Sequence, residues 1–149
     1  MNVFLAGIIQ GSMVEPDIHS QDWRDPIKAA LRQHYPAAEV YCHYSQHPRS
    51  ITYKMPEIRA TLTDGIERAA GSDLVIAYCP SASMGTAIEI YEACRNDAVV
   101  LSITPLQANW VLQSYSDKMF TSTEDFVAFL TSDAFAELYR SKRGCSPDA

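Results

Sequence analysis

The segment from Cys79 to Ala93 carries the residues best suited to chemistry. Its pattern indicates a buried strand, a loop of small residues and then a helix, with Glu89 in the first helical turn. Ser81 and Ser83 supply hydroxyls, and Gly85 lets a ligand approach the backbone closely. The opening N–H groups of a helix are unsatisfied and favour an anionic or polar ligand. The segment therefore predicts a binding loop with a carboxyl group beside it.

Glu89 is the candidate nucleophile. The helix dipole stabilises the ionised form of a carboxyl near a helix N-terminus. An ionised carboxylate at the mouth of a cleft suits nucleophilic attack on a glycosidic carbon. The alternative is structural, because a glutamate in a first turn commonly does no more than complement the dipole. Both interpretations stay open on the pattern alone.

Apolar runs alternate with helical patterns along the chain, which is typical of a parallel sheet covered by helices. The first run ends at Gly7, and the LVIAYC run from Leu74 to Cys79 is the most strand-like. Asp25 is expected to cap a helix before Pro26. We predict strands at Asn2–Ala6, Glu39–His43, Leu74–Cys79, Val99–Ile103 and Met119–Phe120. We predict helices at 26–35, 56–70, 86–96 and 106–115, and a last helix that runs from a Ser122–Asp125 capping box to Tyr139. The helix at 56–70 forms in one piece or in two, with Thr63 as the cap of the second piece.

This alternation predicts an α/β fold, a three-layer flavodoxin-like or Rossmann-like sandwich with a parallel sheet of about five strands. We expect a single domain over residues 1–140 and a flexible C-terminal tail over 141–149. In such sheets, ligands bind at the carboxyl ends of the strands, where strand order reverses. If the first and third strands flank that point, the loops Gly7–Ser12 and Pro80–Gly85 meet there.

Three segments resemble the nucleoside 2-deoxyribosyltransferase superfamily, which includes the deoxynucleoside monophosphate N-glycosidases. They are FLAG at 4–7, SDLVIAY at 72–78 preceded by Asp64, and SMGTAIE at 83–89, and the resemblance extends to about Tyr115. It implies that Glu89 attacks the anomeric carbon. It also implies that Ser83 matches a phosphate-binding serine of the glycosidase branch, where transferases carry an aspartate.

The same resemblance gives Asp64 a polar or acid role toward the leaving base. A helix cap is the alternative for this residue. The family's serine and arginine after the first-strand glycine are absent, since Ile8 and Gln10 stand in their places. A phosphate would then be held by Ser83, Ser12 or Arg24. The predicted substrate-binding residues are Gly7, Ser12, Ser81, Ser83, Gly85 and Trp110.

Aromatic side chains are candidates for stacking on a base, namely Tyr44, Tyr53 and Trp110. His19 and Arg24 follow the first-strand loop and would reach a ligand, although surface polar residues are the better interpretation. Neither the base nor the choice of ribose or deoxyribose follows from the sequence.

The cluster of Cys42, His43 and His47 fits no standard metal-site spacing, so we interpret these histidines as solvated loop residues. We predict no metal and no cofactor. The four cysteines, Cys42, Cys79, Cys94 and Cys145, indicate free thiols and a cytoplasmic protein.

A formal net charge of −6 argues against a nucleic-acid polymer as partner. No apolar run approaches the roughly 20 residues of a membrane span, so no membrane partner is expected. The predicted partner is a small-molecule nucleoside or nucleotide. The resemblance also implies a homo-oligomer, with Trp110 and Tyr115 in Asn109–Asp117 suited to an interface.

Three functions remain in competition. The first is an N-glycosidase or deoxyribosyltransferase that acts through a covalent glycosyl-Glu89 intermediate. The second is a non-catalytic nucleotide-binding module with the same pocket, which Ile8 and Gln10 favour. The third is a flavodoxin-like protein of unrelated role, which a Glu89 buried away from any cleft would favour.

Overall fold

A computed structural model describes residues 1–11, 13–15 and 17–148. Within these residues, five parallel strands form one sheet in the order β2-β1-β3-β4-β5. The α/β class and the strand number predicted from the sequence are confirmed. The strands are β1 Asn2–Gly7, β2 Glu39–Cys42, β3 Leu74–Tyr78, β4 Val99–Ile103 and β5 Lys118–Phe120.

Helices cover both faces of the sheet. They are α1 Arg24–His34, α2 His43–Gln46, α3 Glu57–Ala70, α4 Met84–Arg95, α5 Trp110–Tyr115, α6 Thr123–Leu130 and α7 Asp133–Arg143, with a 3-10 turn at Ser50–Thr52. Among the described residues, no helix has the length and hydropathy that a membrane span requires.

Alternate residues of β1 enter two separate cores. Val3 and Leu5 pack with α1, α6 and α7, whereas Phe4 and Ala6 pack with α3, α4 and α5. Successive side chains of a strand point to opposite faces, so a strand covered on both sides must be apolar throughout. This requirement explains the unbroken apolar runs and produces the predicted three layers.

Several helix boundaries differ from prediction. The first helix begins at Arg24 with Trp23 as its N-cap, so Asp25 lies inside the helix. The third is one continuous helix, and Thr63 caps no second start. The second strand, predicted to reach His43, ends at Cys42, and α2 and the 3-10 turn follow it. Neither was predicted, because their residues carry no apolar periodicity.

The C-terminal region forms two helices where one was predicted. The Ser122 cap is confirmed, since the Asp125 N–H donates to Ser122 Oγ at 3.1 Å. The helix ends at Leu130, however, and a second helix begins at Asp133. The last helix ends at Arg143, beyond both the predicted helix end and the predicted domain end at residue 140. Residues 141–143 are therefore helical.

Candidate active site

A cavity of about 320 Å³ lies at the carboxyl ends of β1 and β3. Strands β1 and β3 are neighbours, and the strand order reverses between them, with β2 on one side of the pair and β4 and β5 on the other. The loops after both strands line the cavity, as predicted from their positions. Their contributions include Gly7, Gln10, Gly11, Ser83 and Gly85.

Glu89 lines this cavity from the second turn of α4. The helix begins at Met84, with Ser83 as its N-cap, so the expected first-turn position is wrong. The side chain is only 8% exposed. Burial raises the pKa of the carboxyl to about 8, although Arg24 acts in the opposite direction. Burial thus favours the protonated form of Glu89, whereas the helix dipole alone favours the ionised form.

Arg24 is the buried cation of the site, and the interpretation as a surface residue is wrong. Arg24 is 2% exposed and lines the same cavity as Glu89. Nε donates to Gln21 Oε1 at 2.8 Å, and Nη1 donates to the Leu5 carbonyl at 3.1 Å. Nη2 is buried and has no hydrogen-bond partner within the described part of the chain. A buried charged donor without a partner is costly, so an acceptor on a ligand would stabilise it.

His43 also lines the cavity, at the start of α2, and is not a solvated loop histidine. Its Nδ1 is buried and unpaired among the described residues. Burial lowers the pKa of the imidazole to about 4, and the neighbouring His47 and Arg24 add to the effect. The ring lies 4.9 Å from the His47 ring, centroid to centroid. His43 is therefore neutral at physiological pH.

Gly65 in α3 separates His43 from Glu89. A Cβ at this position would lie 3.3 Å from His43 Nδ1 and 3.4 Å from Glu89 Oε1. The missing side chain leaves room for both groups beside α3. A glycine inside a helical pattern was the available sequence signal, because it costs helix stability and so usually serves packing or function.

Three predicted binding residues meet at this cavity. Gly7 has no room for a side chain, since a Cβ would lie 2.5 Å from Trp23 Cζ2. Gly85 borders open space, with no heavy atom within 4 Å of an added Cβ. Ser83 Oγ accepts from the Thr86 hydroxyl at 3.0 Å and from the Thr86 N–H at 3.4 Å.

The remaining predicted residues lie elsewhere. Asp64 is outside the cavity lining, and its half-exposed carboxylate accepts from Arg68 Nε at 2.8 Å, which lowers its pKa. Ser81 lines a second cavity of about 300 Å³ between α4 and α5. Trp110 is 81% exposed and lines neither cavity. Ser12 lies outside the described residues.

One side of the cavity offers aromatic and apolar surface. Tyr53 lines it, and its hydroxyl lies 3.2 Å from His47 Nδ1. Ile58 and Leu62 of α3 contribute apolar side chains to the same lining. Tyr44, the other loop tyrosine considered for stacking, lies near Arg24 but outside the lining, with its ring centroid 5.8 Å from the guanidinium carbon.

Comparison with known proteins supports the fold through structure alone. No protein-family model and no curated protein matches the sequence. The 2-deoxyribosyltransferase of Bacillus psychrosaccharolyticus superposes with a TM-score of 0.63 at 13% identity, covering 85% of this chain and 90% of that chain.

Two further solved structures share the architecture. A conserved protein from Enterococcus faecalis gives a TM-score of 0.57 at 17% identity, covering 85% of this chain and 94% of its own. The CMP N-glycosidase of Clostridium botulinum gives 0.51 at 18% identity, with coverages of 89% and 100%. The structural neighbours thus include both enzyme types to which the sequence motifs pointed.

Proposed function

We propose that this protein is an enzyme that cleaves or transfers the N-glycosidic bond of a nucleoside or nucleoside monophosphate. The observation that carries the proposal is the position of Glu89, a buried carboxyl at the strand-order reversal of a fold shared with a deoxyribosyltransferase and an N-glycosidase. The motif SMGTAIE places this carboxyl one helical turn beyond the Ser83–Gly85 loop.

In this proposal the Glu89 carboxylate attacks C1′ of the sugar while the base departs. A covalent glycosyl-Glu89 ester forms, and water or a second base resolves it with retention of configuration. The base packs against Tyr53, Ile58 and Leu62, which supply aromatic and apolar area. Arg24 Nη2 donates to an acceptor of the bound ligand. The acid role of Asp64 stays a prediction.

A phosphate on the substrate would lie at Ser83, where the N-terminus of the twelve-residue helix α4 favours an anion. Gln10, which stands at the family's arginine position, lines the cavity as a neutral donor. The cytoplasmic location and the homo-oligomer stay predictions.

One observation favours a second candidate, a non-catalytic nucleotide-binding module. Ile8 replaces the family's serine and is fully buried, so this position offers a phosphate no polar side chain. Such a module would keep the cavity and its affinity without turnover.

Release of free base distinguishes the two candidates. Wild type and Glu89→Gln are incubated with ribo- and deoxyribonucleosides and their 5′-monophosphates, with and without an acceptor base, and products are separated by chromatography. Glu92→Gln is the matched control, because Glu92 lies on the same helix outside the cavity lining. We expect wild type and the control to release base and Glu89→Gln to lose at least about a thousandfold of the rate, since a nucleophile is removed. Ligand binding without base release from any substrate would establish the binding module instead.

A further inference from the structure

We propose that His43 is a second catalytic residue of this site, which takes the proton of Glu89 and delivers it to the leaving base. The inference rests on the proposed function and assigns the proton transfer to His43 where the sequence suggested Asp64. His43 and Glu89 line one cavity, whereas Asp64 lies outside its lining.

The geometry brings the two groups to one point. His43 Nδ1 and Glu89 Oε1 both lie within 3.4 Å of the place where Gly65 would carry a side chain. Nδ1 is buried and has no hydrogen-bond partner among the described residues, so it is available to a proton donor. The Asp64 carboxylate is instead engaged by Arg68 and by the Tyr41 hydroxyl.

The reaction needs the proton moved uphill, from a carboxyl with a pKa of about 8 to an imidazole with a pKa of about 4, so that the imidazolium formed is a strong acid toward the leaving base. Glu89 must lose a proton before it can attack, and most leaving bases must gain one. At neutral pH the buried carboxyl holds the proton and the imidazole is neutral. The charged or titratable groups facing His43 are Arg24 from α1, His47 at the end of α2, Asp64 from α3 and Glu89 from α4. Arg24 favours the Glu89 carboxylate that the transfer creates.

Each step balances. The carboxyl proton of Glu89 moves to His43 Nδ1 through one bridging water, because no direct hydrogen bond joins the two groups. A carboxylate oxygen then bonds to C1′, the C1′–N bond breaks with its electron pair on the base, and the imidazolium protonates that base. Water next attacks C1′ and loses a proton to His43, and the ester C1′–O bond breaks to release Glu89 as a carboxylate. Return of the proton from His43 to Glu89 restores the starting state.

The test is the dependence of the rate on the leaving group. The substrates are nucleosides that share the sugar on which the enzyme acts and differ in the pKa of the base. Their turnover is measured with wild type, His43→Gln and the matched control His47→Gln. His47 is adjacent but does not line the cavity. We expect His43→Gln to lose kcat with every leaving group, because Glu89 loses its proton acceptor, and to lose at least about tenfold more with the most basic leaving group than with the least basic, which departs without a proton. His47→Gln should keep the wild-type slope. Equal losses across the series in His43→Gln would overturn the inference.

A pH profile of wild type gives a second, independent decision, which holds even if His43→Gln is inactive or unfolded. The proton relay from Glu89 through His43 to the base requires that these two side chains hold one proton between them. The value of kcat/KM should therefore fall as pH rises above about 8. A Glu89 that acts alone as a carboxylate would give a rise through that pH, and this rise would overturn the relay. No base release from any nucleoside by wild type would overturn the proposed function itself, and the relay with it. Base release without a leaving-group effect overturns only the role of His43.

Discussion

Replacement of Glu89 by glutamine should change how folding stability depends on pH. Burial raises the pKa of this carboxyl to about 8 in the folded protein, against an ordinary value of 4.5 in the unfolded chain. Between these values the folded state holds a proton that the unfolded chain has released. Stability therefore falls as pH rises from 4.5 to 8, and it is unaffected by this group below 4.5. Glutamine keeps the shape of the side chain and removes the titration.

The size of the effect follows from the two pKa values. Each unit of difference corresponds to about 1.4 kcal/mol, and integration between pH 5 and pH 8 gives a relative loss of about 3–4 kcal/mol for wild type. We expect the difference in free energy of unfolding between Glu89→Gln and wild type to grow by that amount over this range. Urea denaturation at half-unit pH intervals measures it.

The comparison isolates one group, because every other titrating residue is present in both proteins. A constant offset between the two curves is expected from the altered interaction with Arg24 and does not bear on the slope. Parallel curves from pH 5 to pH 8 would refute the reasoning, since they would show a carboxyl with an ordinary pKa and hence an exposed Glu89.

Three other changes test the packing around the site. Gly7→Ala should destabilise the fold by about 1–3 kcal/mol, measured by urea denaturation, because the added Cβ clashes with Trp23; an unchanged midpoint would contradict this. Gly65→Ala should lower kcat/KM about tenfold with less than about 1 kcal/mol change in stability, since a better helix former offsets the crowding at Glu89; wild-type kinetics would contradict it. Deletion of residues 141–149 should cost about 1–2 kcal/mol, because two half-buried ion pairs are lost; thermal unfolding at the wild-type temperature would show that the helix end is dispensable.

The sheet could be predicted from the sequence because its strands are covered on both faces. A strand such as β3, with the sequence LVIAY, is then apolar along its length, and that signal needs no tertiary information. Helix ends were harder. The start of α1 at Arg24 has no side-chain cap, so the Asp25–Pro26 pair suggested a later beginning. The break between α6 and α7 falls at polar residues that a continuous helix also tolerates.

The candidate site could be predicted only where one local motif carries it. Glu89, Ser83 and Gly85 belong to a single strand-loop-helix segment, so sequence order alone brings them together. Arg24 and His43 come from the ends of other elements, and their burial depends on how those elements pack. A lone arginine and a histidine in a polar stretch carry no periodic signal. The sequence signals were the position of His43 at the end of the predicted second strand and Gly65 inside a helical pattern.

Arg24 affects which variants of this protein a screen for thermostability would select. It is a buried cation in the first turn of a helix, where the dipole favours a negative charge, and one of its nitrogens is unpaired within the described residues. Each of these features costs folding stability. A screen for thermostability alone should therefore accept apolar replacements at position 24 and discard whatever ligand interaction the guanidinium provides. On the proposed role of Arg24 in binding the ligand, stability and activity are opposed at this position, and thermostable variants need to be selected with turnover monitored at the same time.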